Sequence, residues 1–217
     1  MPARLICTIC SKRRVERFCP AKGEKICAVC CGIEREVTLD CPSDCAYLVA
    51  AHRYEQEHRK PADVDAVPFS NVGFSPNVVY ENQSLLAGLG QTILKFAASR
   101  RDLTDQDALT AIAALAEAYR TLLSGIYYEK SPEFPVARGL YTALANFIAD
   151  YKKQQAEQSA FSNVKDRDVF YVLVYLVRMG RGWTNGRARC RIFLEFLRTQ
   201  LQQDRESEPE PSRIVMP

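Results

Sequence analysis

Residues 7–45 read CTICSKRRVERFCPAKGEKICAVCCGIEREVTLDCPSDC and hold eight of the chain's nine cysteines: Cys7, Cys10, Cys19, Cys27, Cys30, Cys31, Cys41 and Cys45. The spacing runs C-x2-C, C-x8-C, C-x7-C, C-x2-C-C and finally C-P-x2-C. A short C-x2-C knuckle holds two sulfurs about 3.8 Å apart, one edge of a tetrahedron, and a distant segment supplies the other two. Eight thiolates complete two four-sulfur sites with none left over. A stretch this short cannot rest on an apolar core, because domains below about 40 residues generally need metals or disulfides. The expected product is a small α+β double-zinc module.

Working outward, the residues ahead of Cys7 lack the roughly 7–15-residue apolar core of a secretory signal. The longest apolar run, residues 169–177, falls far short of the roughly 20 residues that span a bilayer. The expected compartment is therefore the reducing cytoplasm, with no membrane partner. There disulfides are rare and metal-bound thiolates common. The expected cofactor is Zn(2+), two ions, with an iron–sulfur cluster as the alternative for the same donors.

Adjacent side chains point in very different directions on any regular backbone, so Cys30 and Cys31 serve different ions. Cys7, Cys10, Cys27 and Cys30 form a natural first site, and Cys19, Cys31, Cys41 and Cys45 the second. The two interleave as a cross-brace. On spacing alone Cys30 and Cys31 are interchangeable between them. Cys41-Pro42-Ser43-Asp44-Cys45 reads as the opening of a helix, with Pro42 in its first turn and both thiolates at the positive end. His52 is the competing ligand. It lies seven residues past Cys45, about 10 Å along a helix, too far to share one ion with Cys45, and Cys31 is read as the eighth ligand instead.

The spacing of Cys7, Cys10, Cys19, Cys27 and Cys30 is similar to the front half of a B-box-type zinc-binding module, over residues 7–45 only. It departs from that layout at Lys22, where the family places Asp or Cys, and it ends on Cys41 and Cys45 instead of two histidines. The resemblance implies interleaved zinc sites that serve protein–protein contacts and not catalysis.

The remainder reads as an all-α helical domain. Residues 1–59 make up the cysteine module with its trailing helix. Residues 60–77 (KPADVDAVPFSNVGFSPN) form a linker that Phe69 and Phe74 pack onto a neighbour. Residues 78–203 form the helical domain, and residues 204–217 a disordered acidic tail. Apolar periodicity predicts helices at 79–100, 104–128, 134–157, 165–180 and 187–203. Thr104 caps the second of these, with Asp105 and Asp107 as helix-start acids. The β-branched run at 169–177 would suit a strand, but it has no partner strand, so it is read as a central helix.

Composition is that of an ordinary globular chain, 47% hydrophobic and 25% charged. Two zinc ions contribute +4 and eight thiolates −8, which takes the formal +3 to −1, so net charge does not favour nucleic acid as the partner. Local charge is stronger. Residues 165–200 carry eight basic and three acidic side chains. On a last helix starting at 187, Arg187, Arg191 and Arg198 would share one face. With Arg181 and Trp183 in the turn before it, they form a candidate site for phosphate or an acidic peptide. Cys190 is read as a buried thiol.

All-sulfur zinc sites are closed and structural, and the helical part has no histidine and no glycine-rich phosphate loop. The expected function is a non-enzymatic, zinc-binding adaptor with a protein partner. The alternative is a nucleic-acid-binding regulator using Lys12, Arg13, Arg14 and Arg17, or the last helix.

Overall fold

A computed structural model describes residues 6–59, 67–126, 128–158 and 164–207. Within them the chain is mostly helical, with one small antiparallel hairpin near the N-terminus. The hairpin pairs β1 (Arg17–Cys19) with β2 (Glu24–Ile26) in the register Arg17↔Ile26, Phe18↔Lys25, Cys19↔Glu24. Gly23 closes the turn at φ +68°, a left-handed conformation that glycine adopts without penalty. The amides of Lys22 and Gly23 both donate to the Cys19 carbonyl, at 3.2 and 2.9 Å. Alternation along the strands turns Cys19 and Ile26 inward and Phe18 outward. Two helices follow, α1 (Ala28–Glu34) and α2 (Ala46–Glu57).

The second part comprises α3 (Pro76–Glu81), α4 (Gln83–Ser99), α5 (Asp105–Leu123), α6 (Pro135–Gln158), α7 (Asp166–Trp183) and α8 (Ile192–Ser207). The β-branched run lies within α7. Val169, Phe170, Val172, Leu173, Val174, Leu176 and Val177 are all buried there, so burial on several sides overrides the weak helix propensity of valine. At Gly180 the neighbours close in. A Cβ there would meet Leu109 Cδ2 at 2.5 Å and the Phe193 ring at 3.1 Å, so α5 and α8 approach α7 closely at this point. No helix among the described residues is long and apolar enough to cross a membrane.

Four helix boundaries differ from expectation. The helix predicted over 79–100 breaks at Asn82, where φ −111° and ψ 26° separate α3 from α4, and the Asn82 side-chain amide donates to the Val78 carbonyl at 2.8 Å. The helix predicted to 128 ends at Leu123, just before Gly125 at φ +79°. The helix expected to open at Pro42 begins instead at Ala46, with Cys45 as its N-cap and Pro42 in the preceding turn.

The fourth difference matters most. The last helix begins at Ile192, not 187, and continues through residues 204–207, which were expected to be disordered. Its start is set from outside. The Asp105 carboxylate is fully buried. Its Oδ2 accepts from Cys190 Sγ (3.2 Å) and the Phe193 amide (3.0 Å), and its Oδ1 from the Leu194 amide (3.2 Å). Asp105 thus caps α8 from the first turn of α5. The cap of α5 itself is the expected one, a reciprocal box between Thr104 and Asp107.

The linker expected over 60–77 falls partly outside the described residues, at 60–66, as does the tail at 208–217. From residue 67 onward the segment lies on α7. Phe69 meets Phe170 edge-on at 6.0 Å, Phe74 sits 5.5 Å from Tyr171, and Arg178 donates to the carbonyls of Phe69 (2.5 Å) and Val72 (2.6 Å).

Candidate metal centre

The first knuckle is shaped by its own backbone. The Cys7 amide donates to the Arg13 carbonyl and the Ser11 amide to the Cys7 carbonyl, both at 2.8 Å, with Ser11 in the left-handed region at φ +51°. Cys7 and Cys10 are thereby held on the inside of a turn. The second knuckle begins where β2 ends. Cys27 is the N-cap of α1, and its Sγ accepts from the Cys30 amide at 3.4 Å. The hairpin brings the two knuckles together, and the ligand atoms of Cys7, Cys10, Cys27 and Cys30 all lie within 4.8 Å of one another. That is close to the sulfur spacing around a tetrahedral ion with metal–sulfur bonds of about 2.3 Å. The first site expected from spacing is assembled, and it could hold a metal ion.

The electrostatics of this group favour a cation. Amide donation from Lys12 and Arg13 holds the Cys10 thiol down at about 6. Burial pushes Cys30 up to about 12, and crowding by the Cys27, Cys10 and Cys7 sulfurs adds to the rise. One thiol is poised to lose its proton, and its neighbour cannot follow while the sulfurs stand alone. A divalent cation among them removes that repulsion.

Arg13 was missed as part of this site. The nearby Cys10 and Cys27 sulfurs hold its guanidinium pKa up, so this residue, read as a nucleic-acid contact, lies within the electrostatic reach of the sulfur group while remaining exposed. Arg17 lies over the Tyr47 ring at 4.6 Å.

The other four cysteines cluster less tightly. Cys19, Cys31 and Cys45 are buried and Cys41 is half-buried. Burial pushes the Cys41 thiol up, and the charges of nearby Cys19 and Cys45 push it the same way. His52, the rival ligand, is held elsewhere, its Nε2 donating to Glu36 Oε2 at 2.9 Å.

The remaining predicted site residues fall into two groups. Contrary to the expectation of one shared helix face, Arg187 and Arg191 precede α8, which starts at Ile192, and only Arg198 lies on it. Arg187 Nη1 donates to the carbonyls of Gly32 (3.0 Å) and Arg35 (2.7 Å) at the end of α1. Arg191 Nη1 donates to Asp40 at 2.6 Å, and its other nitrogens reach the carbonyls of Leu103 and Arg101. Arg181 and Trp183 lie in the last turn of α7, which runs three residues past the expected end at 180, and not in the turn before α8; Trp183 stacks on Phe196 at 4.3 Å, Arg198 pairs with Glu195 at 2.7 Å, and Arg181 is exposed.

Arg187 and Arg191 belong to a joint between the cysteine module and the helices, with Glu36 at its centre. Glu36 is buried, and its Oε2 accepts from His52 and from Asn185 (3.0 Å), while its backbone carbonyl accepts from the Arg189 amide at 2.8 Å. Burial pushes this carboxyl up, but His52 and Asn185 outweigh it and hold it below its usual range. Replacing Arg187 with alanine leaves two helix-end carbonyls without their donor, at a cost of about 1–3 kcal/mol. Hydrogen exchange should then quicken in residues 28–41 of Arg187→Ala and stay unchanged in α5 and α7.

No family model, curated protein or solved structure matches the chain, so the likeness of its ligand layout to B-box-type modules rests on the cysteine spacing alone.

Proposed function

We propose that this chain is a non-enzymatic, zinc-binding adaptor of the reducing cytoplasm, whose metal module is a rigid platform for a protein partner. The observation that carries the reading is the closed sulfur group of Cys7, Cys10, Cys27 and Cys30. Four thiolates leave no open coordination position, which is the mark of a structural and not a catalytic zinc. Cys19, Cys31, Cys41 and Cys45 hold a second ion, and the two sites together fix the hairpin, α1 and the start of α2. The helical part contributes support and not chemistry.

Apolar side chains on the module favour a protein partner. Val29 and Ile33 stand four residues apart on α1, hence on one face, and are 44% and 62% exposed, with Val37 just beyond at 44%. Contacts of this kind form the centre of protein–protein interfaces. The nucleic-acid alternative is weaker, because Arg17 is engaged with the Tyr47 ring.

Native mass spectrometry should find two zinc ions per chain. A single ion would remove the second site, and bridged thiols without metal would end the reading. For the platform, Ile33→Asp should abolish capture of the protein partner while retaining both ions. Capture of nucleic acid that fades steeply with salt would replace it with the alternative.

A further inference from the structure

We propose that the apolar groove between α4, α7 and α8 is filled by the chain's own segment Ile214-Val215-Met216. The groove is a cavity of about 450 Å³, within the roughly 300–1,000 Å³ usual for binding sites. Leu86 and Ala87 of α4, Tyr175 and Met179 of α7, and Phe196 and Leu201 of α8 line it. All six are half-buried, so each presents apolar surface to the space. No charged side chain among the described residues lines it. Such a groove selects an uncharged, apolar occupant, because an ion placed there would lose its water without gaining a partner.

The ends of the helices point to which occupant. Arg191, just ahead of α8, donates to the carbonyls of Arg101 and Leu103, past the end of α4. Farther along α8, Leu201 Cδ1 lies where it would meet a Cβ on Gly90 at 3.1 Å. α4 and α8 are therefore antiparallel, and the start of α4, with Gln83 on the groove, lies toward the end of α8 at Ser207. Residues 208–217 (EPEPSRIVMP) follow from that end of the groove. Pro209 and Pro211 oppose continuation of the helix, and the polar stretch before Ile214 acts as a spacer.

The length of the spacer fits. Along α8, Leu201 lies about 9 Å and Phe196 about 17 Å back from Ser207. The seven residues from Ser207 to Ile214 span up to about 23 Å, enough to turn and return along the groove. In an extended stretch Ile214 and Met216 point the same way, which places both inside. The short tether holds them at an effective concentration in the millimolar range, and this favours the chain's own segment over that of a second copy. The groove does not depend on the adaptor reading, because its walls belong to the helices and not to the exposed face of α1.

The chain has three methionines, Met1, Met179 and Met216, so methyl-labelled methionine in the full-length, metal-loaded chain gives one probe on the groove wall and one on the segment. The Met216 methyl should show nuclear Overhauser contacts to the ring protons of Tyr175 or Phe196. Truncation after Ser207 should shift the Met179 methyl resonance, and Ile214→Asp combined with Met216→Asp should shift it to the same position. A synthetic peptide of residues 208–217 added to the truncated chain should restore the original one. Circular dichroism should show the helices kept in both variants, since the altered residues lie outside the core. Three results would overturn the proposal. The first is the absence of any contact from Met216 to the groove. The second is a Met179 resonance that ignores the truncation, which would leave the groove to an apolar ligand from outside the chain. The third is contacts that arise only between labelled and unlabelled chains in a mixed sample, which would assign the groove to the segment of a second copy.

Discussion

Stripping metal from the loaded chain is expected to unfold residues 7–45 and leave α4–α8 helical. Apart from its cysteines, the module buries only Ile26, Leu39 and Leu48 as apolar side chains among the described residues. Each contributes about 1.5–3 kcal/mol when buried, whereas ordering the backbone opposes folding by about 1–2 kcal/mol for every residue. Structural zinc supplies on the order of 10 kcal/mol, and nothing else in the segment approaches that. The helices have a separate core, built on Leu89, Ile112, Leu144, Leu173 and Phe193. Cys27→Ser is the sharpest variant. Serine keeps the N-cap of α1 and removes only the metal ligand, so it should reproduce the effect of a chelator. Hydrogen exchange resolves the two parts. Protection lost in residues 7–45 and kept in α5 and α7 is the expected pattern, and simultaneous loss in both would contradict independent folding.

The second large effect is expected at Asp105. Asp105→Ala strands the Phe193 and Leu194 amides and the Cys190 thiol in the interior, since all three donate to this carboxylate. Removing one partner from a buried charged network costs about 3–5 kcal/mol. For a chain of this length that lowers Tm by roughly 6–20 °C. Burial pushes the Asp105 carboxyl above its usual range even with its donors in place, so the ionised form carries a desolvation penalty. Asp105→Asn keeps an acceptor and removes that penalty, and should lose less than alanine. The first turn of α8 should fray in both. A Tm change in Asp105→Ala no larger than that of a surface substitution would show that the cap is dispensable.

Metal geometry is local, and so it was legible. A knuckle must bring two sulfurs within one ion's reach, and the spacing of Cys7, Cys10, Cys27 and Cys30 records that requirement directly. The helical state of residues 169–177 could be read for a similar reason, since an apolar run with no strand to pair with must satisfy its backbone internally. The start of α8 was illegible because its cap lies 88 residues away at Asp105, and apolar periodicity runs on past the true boundary. Arg187 and Arg191 misled for another reason. A long cationic side chain reaches whatever oxygen the fold offers, and sequence does not reveal whether that acceptor belongs to a partner or to the chain itself.

The contact from Arg187 to Gly32 spans 155 positions, and this bears on biosynthesis. Ribosomes add about 5–20 residues per second, so the knuckles leave the exit tunnel roughly 8–30 s before the arginine that seats α1. Through that interval the nascent hairpin has no counter-face to lean on. If the module is a metal module, its thiols would have to capture metal without that support. On the zinc-module reading, metal supply during translation, more than the strength of the finished joint, should govern how much of this polypeptide matures.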